Sequence, residues 1–482
     1  MKTQSDRSSP PPLPTGQDRT VGSIPRHLIA FSLPMLVGNA LQTLYTAVNT
    51  FWVGRFLGKE AMSAAGVSMT AFFVLIPLCV GLTIATTIQV SQHYGAKDFS
   101  AVRRVLGTST LMILGVSLVL LAVGEALAPQ VLRWMATPDD VMPLAVPYMR
   151  ILLISLPIAF CTMQVRSALQ GTGDSTTPLY FLGASLVLTA GLDPVLMFGW
   201  MGIPALGLNG TAYATIIAQI LTLWVLVVYL RRRGNLAAPS FRIRDFDKAV
   251  AFKTLTIGLP ASLQYSFIGL SMGFVTGIVN SFGDVNALAA FTAAGRVDNL
   301  AFMPALAFNG AVSALTGQNL GANRPDRVRK IFWWGCLLSG GVTVVTSTLV
   351  VFLAAFLLRI FTKDESVIGL GVPYLRTVGA SYVFLAIMFI SNGVISGSGR
   401  TVVPTIITLV SLWAVRVPLA HFLAQRMASI EGVWLAIAVS FGVSMLMSLG
   451  YYFSGRWRKG TVRPRTQPPT TDEMFSEEVG EA

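Results

Sequence analysis

The chain has 482 residues, of which 53% are hydrophobic and only 12% are charged. Soluble domains carry about a quarter charged residues, so this composition excludes an ordinary soluble protein and indicates an integral membrane protein. The net charge of +13 is carried by two tails and by short segments between apolar runs. It does not form one basic surface, and this excludes a nucleic-acid-binding domain.

Twelve apolar runs are long enough to cross a bilayer, because a spanning helix needs about 20 mostly apolar residues. The sequence therefore predicts an all-α integral membrane protein. The predicted spans are 28–53, 62–90, 106–128, 141–169, 177–200, 203–230, 255–282, 285–315, 331–361, 367–395, 402–423 and 433–453.

Orientation follows from the distribution of lysine and arginine. With both tails and the even-numbered loops on one side, 25 basic residues lie on that side and 6 on the other. This bias predicts that both termini are cytoplasmic in a multi-pass protein. The resulting domains are a disordered cytoplasmic tail (1–27), an N-terminal six-helix lobe (28–232), a cytoplasmic linker (233–249), a C-terminal six-helix lobe (250–455) and a second cytoplasmic tail (456–482).

An internal repeat relates the two halves at an offset of 226 residues. An even number of spans in each repeat predicts two lobes related by a pseudo-two-fold axis along the membrane normal, which is a known transporter plan. The matched positions are Pro34 with Pro260, Gln92 with Gln318, Gly95-Ala96 with Gly321-Ala322, Tyr148 with Tyr374, Arg150 with Arg376, Gly171 with Gly397, Gly173 with Gly399, and Pro178 with Pro404.

Three segments resemble the multidrug and toxic compound extrusion (MATE) family, closest to its bacterial DinF- and NorM-like members. Asn49–Gly58 with Ala64–Gly66 is similar to the end of the family's first helix and the loop after it. Arg166–Pro178 is similar to the end of its fourth helix, and Gly317–Ala322 to the end of its eighth. The resemblance covers nearly all of the membrane part.

The resemblance implies a secondary active antiporter of the inner (plasma) membrane that exports amphipathic organic compounds, including drugs, by alternating access. It implies exchange for protons or sodium ions and a V-shaped cavity between the lobes. We expect a monomer with small-molecule substrates, membrane lipid around it, and no nucleic acid partner, cofactor or metal. One alternative is a lipid-linked oligosaccharide or lipid flippase of the same superfamily, which extra spans beyond twelve or an arginine-rich cavity would favour. A channel or membrane scaffold is the other.

An enzyme is not expected. The three histidines lie far apart at the ends of spans, without the spacing of metal ligands, and no serine lies in a nucleophile elbow.

Asp193 is the strongest candidate for cation coupling. It lies within the fifth span before Pro194, and a carboxyl removed from water favours its protonated form. Pro194 has no N–H, so it frees the carbonyl of Ala190 and creates polar sites beside the carboxyl. The resemblance places this acid in the family's N-lobe cation site. A structural acid that holds helix ends together is the alternative.

Asn49 departs from the family pattern, which often has an acid in the first helix fifteen residues after a proline. This chain keeps Pro34 but has a residue that cannot titrate. Either Asp193 acts with Asn49 as a neutral partner, or the site binds sodium through oxygen ligands. An interhelical hydrogen bond is the equally weighted third interpretation of Asn49.

Further polar residues in the spans would be unsatisfied in lipid, so we expect them to face the bundle interior. In the N-lobe these are Asn39, Gln42, Tyr45, Gln164 and Thr189, and together with Pro34 they are predicted to line the substrate cavity. In the C-lobe they are Gln264, Arg296, Asp298 and Arg416, and Asp298 is predicted to be a member of a structural ion pair. Because arginines outnumber acids there, we expect a neutral to positive C-lobe wall suited to anions, zwitterions or weakly charged drugs.

Overall fold

The computed structural model describes residues 16–199, 204–458 and 460. Among these residues, eleven helices are long and apolar enough to cross a membrane, and two helices bent by 44° pass the same test as a pair, which gives twelve spans when the pair is counted as one. The twelve predicted spans are confirmed. The α-helices are Ile24–Phe56 (α1), Gly58–Gly95 (α2), Phe99–Trp134 (α3), Met142–Gly171 (α4), Thr176–Phe198 (α5), Leu208–Arg232 (α6), Lys248–Asn280 (α7), Val285–Gly321 (α8), Pro325–Phe352 (α9), Ala354–Arg359 (α10), Glu365–Ala380 (α11), Tyr382–Gly397 (α12), Val402–Thr408 (α13), Val417–Met427 (α14) and Glu431–Phe453 (α15).

Two spans are less regular than their hydropathy suggests. The tenth is broken at Ser381, which is buried and donates its hydroxyl to the Val378 carbonyl. The eleventh contains a π-helical stretch, Leu409–Arg416, directly before Pro418. Proline and π-bulges are known causes of helix distortion, and π-bulges are frequent near functional sites. The apolar runs are continuous across both breaks, so composition did not reveal them.

Each half of the chain has its own hydrophobic core. The N-lobe core is centred on α2, α3 and α4 and includes Ile113, Tyr148 and Leu156. The C-lobe core includes Phe291 and Trp434, whose rings stack 5.5 Å apart. The chain passes between the lobes through a segment that bonds to α3: the Asp247 N–H donates to Thr108 Oγ1 at 3.0 Å.

A third core unites the ends of several helices at what we call the terminal face. It brings Ile24 and Leu28 of α1 together with Leu320 of α8 and with Tyr452 and Trp457. Both predicted tail boundaries are therefore wrong in part. Residues 16–27 are packed rather than disordered, with α1 beginning at Ile24, and Trp457 is 1% exposed and stacks on Tyr452. Residues 1–15 and 461–482 lie outside the described residues.

The lobes meet along α2, which packs against α7 and α8. Gln89 Nε2 donates to Thr254 Oγ1 at 2.8 Å, and Ser262 Oγ donates to the Leu78 carbonyl at 3.2 Å. Within the described residues, the hydrogen bonds between the lobes all lie in the half of each helix nearer the terminal face. The lobes are therefore hydrogen-bonded to each other, within the described residues, on the side of the terminal face.

Two glutamines close the terminal face reciprocally. Gln92 of α2 donates through Nε2 to the Gly397 carbonyl of the C-lobe at 2.8 Å. Gln318 of α8 donates through Nε2 to the Gly171 carbonyl of the N-lobe at 3.1 Å. Gln92 and Gln318 are repeat mates, as are Gly171 and Gly397, so the pseudo-two-fold axis passes through this contact. We call it the glutamine latch.

Candidate cation site and the buried acids of the two lobes

Asp193 lies near the C-terminal end of α5 and is completely inaccessible to solvent. Asn49 of α1 donates through Nδ2 to Asp193 Oδ2 at 3.4 Å. The second oxygen, Oδ1, is buried and has no hydrogen-bond partner among the described residues. The predicted pairing of Asn49 with the acid is thus present, and one carboxyl oxygen remains available to a proton or a cation.

Two tyrosines lie within electrostatic range of this carboxyl. Tyr45 of α1 lies close enough to Asp193 to interact with its charge, and its hydroxyl lies 3.3 Å from Thr215 Oγ1 of α6. Tyr148 of α4 is buried and also interacts electrostatically with Asp193. Tyr148 and Thr215 were not among the predicted site residues. The recurrence of Tyr148 as Tyr374 in the repeat was the one signal that could have singled it out.

The other predicted N-lobe residues have different environments. Gln164 is buried, and both of its amide atoms lack a hydrogen-bond partner among the described residues. Thr189 is buried and donates to the Ser185 carbonyl at 2.7 Å. Asn39 and Pro34 are half-buried within α1, whereas Gln42 is exposed. Gln42 is therefore not packed inside the N-lobe, and its place in the substrate cavity stays a prediction.

Gln42 belongs to a polar stripe on an exposed face of α1. Thr46 and Thr50 follow it at four-residue intervals, and both are exposed. Their hydroxyls donate to the carbonyls of Gln42 and Thr46 at 2.9 and 2.8 Å, which satisfies the hydroxyls within the helix. The stripe lies beyond Met35, where α1 still contacts α8 at Gly310. A polar face exposed at membrane depth is typical of a helix that lines a water-filled cavity.

The C-lobe holds a second buried acid, Asp298 of α8, which is 6% exposed. The hydroxyls of Tyr374 and Tyr382 donate to its two oxygens in short hydrogen bonds. Arg416 is close enough to interact with this charge, but its Nε donates to Ser440 Oγ at 2.8 Å. The partners in direct contact with Asp298 are thus tyrosines. Instead of the predicted ion pair, Asp298 is bonded to the two tyrosine hydroxyls, which we call the hydroxyl cage. Arg416 is nearby but is bonded to Ser440.

Arg416 does not lie on an exposed wall of the C-lobe. It is 7% exposed and its guanidinium lies 5.0 Å from the ring centroid of Phe441. Arg296, by contrast, is exposed and lies over Phe361, 5.7 Å from its ring centroid. The expectation that Arg416 makes the C-lobe wall positive is therefore wrong, because a buried arginine compensates the acid inside the lobe. Gln264 also bonds within the lobe, to Thr408 Oγ1 at 3.2 Å.

The two lobes use equivalent tyrosines on non-equivalent acids. Tyr148 and Tyr374 are repeat mates, and each lies beside the buried acid of its lobe. The acids come from α5 in one lobe and α8 in the other, so they are not repeat mates. Asp298 has both oxygens bonded and a cation nearby, whereas Asp193 has a neutral partner and a free oxygen. Within the described residues, Asp193 therefore keeps one carboxyl oxygen without a hydrogen-bond partner, whereas both oxygens of Asp298 are bonded.

Comparisons with known proteins agree with this architecture. A family profile described as MatE matches residues 34–195 and 260–422, so it recognises each lobe separately and begins at the repeat mates Pro34 and Pro260. The probable multidrug resistance protein YoeA of Bacillus subtilis is 33% identical over 92% of this chain and 96% of its own length. The probable multidrug resistance protein NorM of Thermotoga maritima is 28% identical over 92% and 96%.

A crystal structure of a MATE protein in complex with MaL6 superposes with a TM-score of 0.85 at 23% identity, covering 92% of this chain and 99% of that chain. At this identity the superposition shows the fold. The family profile and the Bacillus relative show more: the chain belongs to the MATE family of multidrug efflux transporters and is a transporter rather than an enzyme.

Proposed function

We propose that this protein is an antiporter that exports amphipathic organic compounds in exchange for a monovalent cation, with Asp193 as the coupling acid. The proposal rests on the burial and the hydrogen bonding of the Asp193 carboxyl. It is fully buried in a membrane-spanning helix, bonded on one side to a neutral amide and free on the other. A charge in this position costs about 2.5–3.5 kcal/mol on insertion scales, so neutralisation by a bound cation is strongly favoured.

A proton is the cation that the geometry favours. The group that Asn49 turns toward Asp193 is its amide nitrogen, a donor that stabilises a carboxylate but repels a metal cation. Sodium would need several oxygen ligands around the carboxyl. One acid with one free oxygen matches a single proton.

Alternating access gives this site its function. We propose that both termini lie in the cytoplasm, as the lysine and arginine bias indicates. The terminal face, closed by the glutamine latch, is then the cytoplasmic side. We propose that the lobes, which are bonded to each other toward that face, diverge away from it and leave a cleft that opens outward. Substrate would contact the polar stripe of α1, which also carries Asn49. Protonation of Asp193 would change its hydrogen bond to Asn49 and so alter α1, the helix that lines the cleft. The proton would then stabilise the inward-open and outward-open states to different extents, which is the requirement for coupling.

The test is efflux of a panel of fluorescent dyes, cationic, zwitterionic and anionic, from inverted vesicles or cells under an imposed proton or sodium gradient. We expect efflux to follow the proton gradient and to fall to background with Asp193→Asn, which keeps the shape of the side chain but removes its charge. The matched control is Asp140→Asn, which neutralises an exposed acid. A second variant, Asn49→Asp, restores the family's two-acid pattern and is expected to change the pH dependence of efflux while retaining coupling.

Several outcomes would count against the proposal. If Asp193→Asn retained gradient-driven efflux at the wild-type level, the coupling site would have to be another residue. Dependence on sodium alone would reject the proton. No efflux of any dye by a well-expressed wild type would favour the flippase.

A further inference from the structure

Residues Gly16–Ser23, which precede α1, form an extended segment that we call the strap. The strap is bonded to the N-lobe where α4 ends. The Gln17 N–H donates to the Thr172 carbonyl at 3.1 Å. The guanidinium of Arg19 donates to the Gly173 carbonyl through Nε at 3.4 Å and through Nη2 at 3.2 Å. Gly173 has a φ of +91°, and a Cβ there would collide with the Gln17 carbonyl oxygen, so a glycine is required for the strap to lie so close.

The strap is also bonded to the C-lobe, and Arg19 takes part in both sets of bonds. The Arg19 N–H donates to Gln318 Oε1 at 3.1 Å. Arg324 of the α8–α9 turn donates through Nη1 to the Thr20 carbonyl at 2.9 Å. Arg327 of α9 donates through Nη2 to the Gly22 carbonyl at 3.0 Å. The strap therefore crosses the boundary between the lobes and is tied to both.

Arg19 is the centre of this arrangement. It is only 8% exposed, although it lies in a segment that composition assigns to a disordered tail. Burial lowers the pKa of Arg19, and the nearby Asp174 carboxylate opposes that shift. Burying a guanidinium is costly unless its donors find acceptors, and Arg19 donates to the Gly173 carbonyl at the end of α4 and to Gln17 Oε1.

The strap also covers the glutamine latch. Gln318 accepts from the Arg19 N–H with Oε1 while it donates to Gly171 with Nε2. Both halves of one amide are thus occupied, one by the opposite lobe and one by the strap. When the lobes separate at the terminal face, the strap cannot keep its bonds to both Gly173 and Gln318, because these residues belong to different lobes.

We propose that the strap is a lock on the terminal face: it stabilises the state in which the lobes are closed there, and it must leave one lobe before that face opens. The proposal rests on the alternating-access mechanism proposed above, but it concerns the equilibrium between states and not the coupling ion. In the absence of the strap, the closed state loses two charge-assisted hydrogen bonds from Arg19 and those that Arg324 and Arg327 make to the strap's carbonyls. The fraction of molecules in which the terminal face is closed therefore falls relative to the fraction in which it is open.

The test measures lobe separation directly, in purified full-length protein without substrate or ion gradient. Spin labels are placed on Arg104→Cys at the start of α3 and Arg329→Cys in α9, both exposed, with Cys79, Cys161 and Cys336 replaced by alanine. We expect Arg19→Ala to raise the ratio of open to closed lobes at the terminal face about tenfold, the effect of losing one charge-assisted side-chain contact. Deletion of residues 2–23 is expected to raise it further.

Two matched controls separate the lock from general disturbance. Deletion of residues 2–14 shortens the chain but leaves the strap in place, and Arg26→Ala removes an exposed arginine from the first turns of α1. Both are expected to leave the distance distribution unchanged. If Arg19→Ala and the longer deletion give the same distribution as these controls, the proposal is wrong.

Hydrogen exchange tests the strap without any substitution. The amides of Gln17 and Arg19 are expected to exchange at least tenfold more slowly than an unstructured peptide, because their N–H groups are bonded to opposite lobes. Exchange at the unstructured rate would overturn the proposal even if the deletion variant failed to fold. Neither the distance measurement nor hydrogen exchange depends on transport. Failure of the proton-coupling proposal would therefore appear in the efflux assay alone and would leave these two measurements unchanged.

Discussion

Gly95→Ala would place a methyl group between the lobes at the terminal face. Gly95 lies at the end of α2, against the backbone of Gln318. A Cβ at this position would lie 2.7 Å from the Gln318 carbonyl carbon and 2.8 Å from its Cα, and closer still to the carbonyl oxygen. The repeat mate Gly321 has the reciprocal contact with the Gln92 carbonyl. Neither obstacle is a flexible side chain, so the lobes themselves must move apart.

The magnitude follows from the size of this overlap. Overpacking by one methyl group against a rigid neighbour typically costs about 1–3 kcal/mol. The cost falls only on the state in which the terminal face is closed, because separated lobes leave room for the methyl. A coupling free energy of this size shifts the ratio of open to closed lobes by about 5- to 150-fold. We therefore expect Gly95→Ala to favour the state that is open at the terminal face.

The assay is again the distance between labels at positions 104 and 329, combined with dye efflux. Alanine also stabilises a helix relative to glycine by roughly 1 kcal/mol, so a control must share that effect. Gly66→Ala provides it, since Gly66 lies in the same helix and an added methyl group there would have no atom within 4 Å. Gly295→Ala is the equivalent control in α8 for Gly321→Ala.

We expect the two interface variants to shift the distance distribution and slow efflux, and the two controls to do neither. The reasoning would be refuted if Gly95→Ala showed the wild-type distance distribution and wild-type efflux. That result would mean that the helices adjust locally at little cost, and that the closed terminal face is not limited by this contact.

Two further predictions concern stability. Tyr382→Phe removes one of the two hydroxyls that bond Asp298 and is expected to cost about 1.5–3 kcal/mol, the usual worth of a hydrogen bond to a charged group. Thermal unfolding in detergent checks it, with Tyr180→Phe at an exposed position as the control; equal midpoints for the two variants would argue against the hydroxyl cage. Trp457→Ala is expected to cost about 3–5 kcal/mol, because the ring is buried against Tyr452. A wild-type midpoint for Trp457→Ala would show that this ring contributes little to stability.

The number of spans, the two-lobe plan and the family could all be derived from the sequence. These features depend on properties that lie within a segment or recur along the chain. An apolar run of about 20 residues must form a helix in lipid, where unpaired backbone groups are too costly. The repeat that relates Gln92 to Gln318 is visible without coordinates. Asp193 could be selected in the same way, because an acid inside such a run is costly unless it has a role or a partner.

The tertiary structure decided which of these residues meet. Asn49 and Asp193 are 144 positions apart, and their 3.4 Å contact depends on how α1 packs against α5. The cage around Asp298 needs side chains from α8, α11 and α12, and the bond from Arg19 to Gln318 joins residues 299 positions apart. Hydropathy averages over a window and carries no information about such pairs. For this reason residues 16–23 look like a disordered tail in the sequence, although their polar groups find partners on both lobes once the helices are assembled.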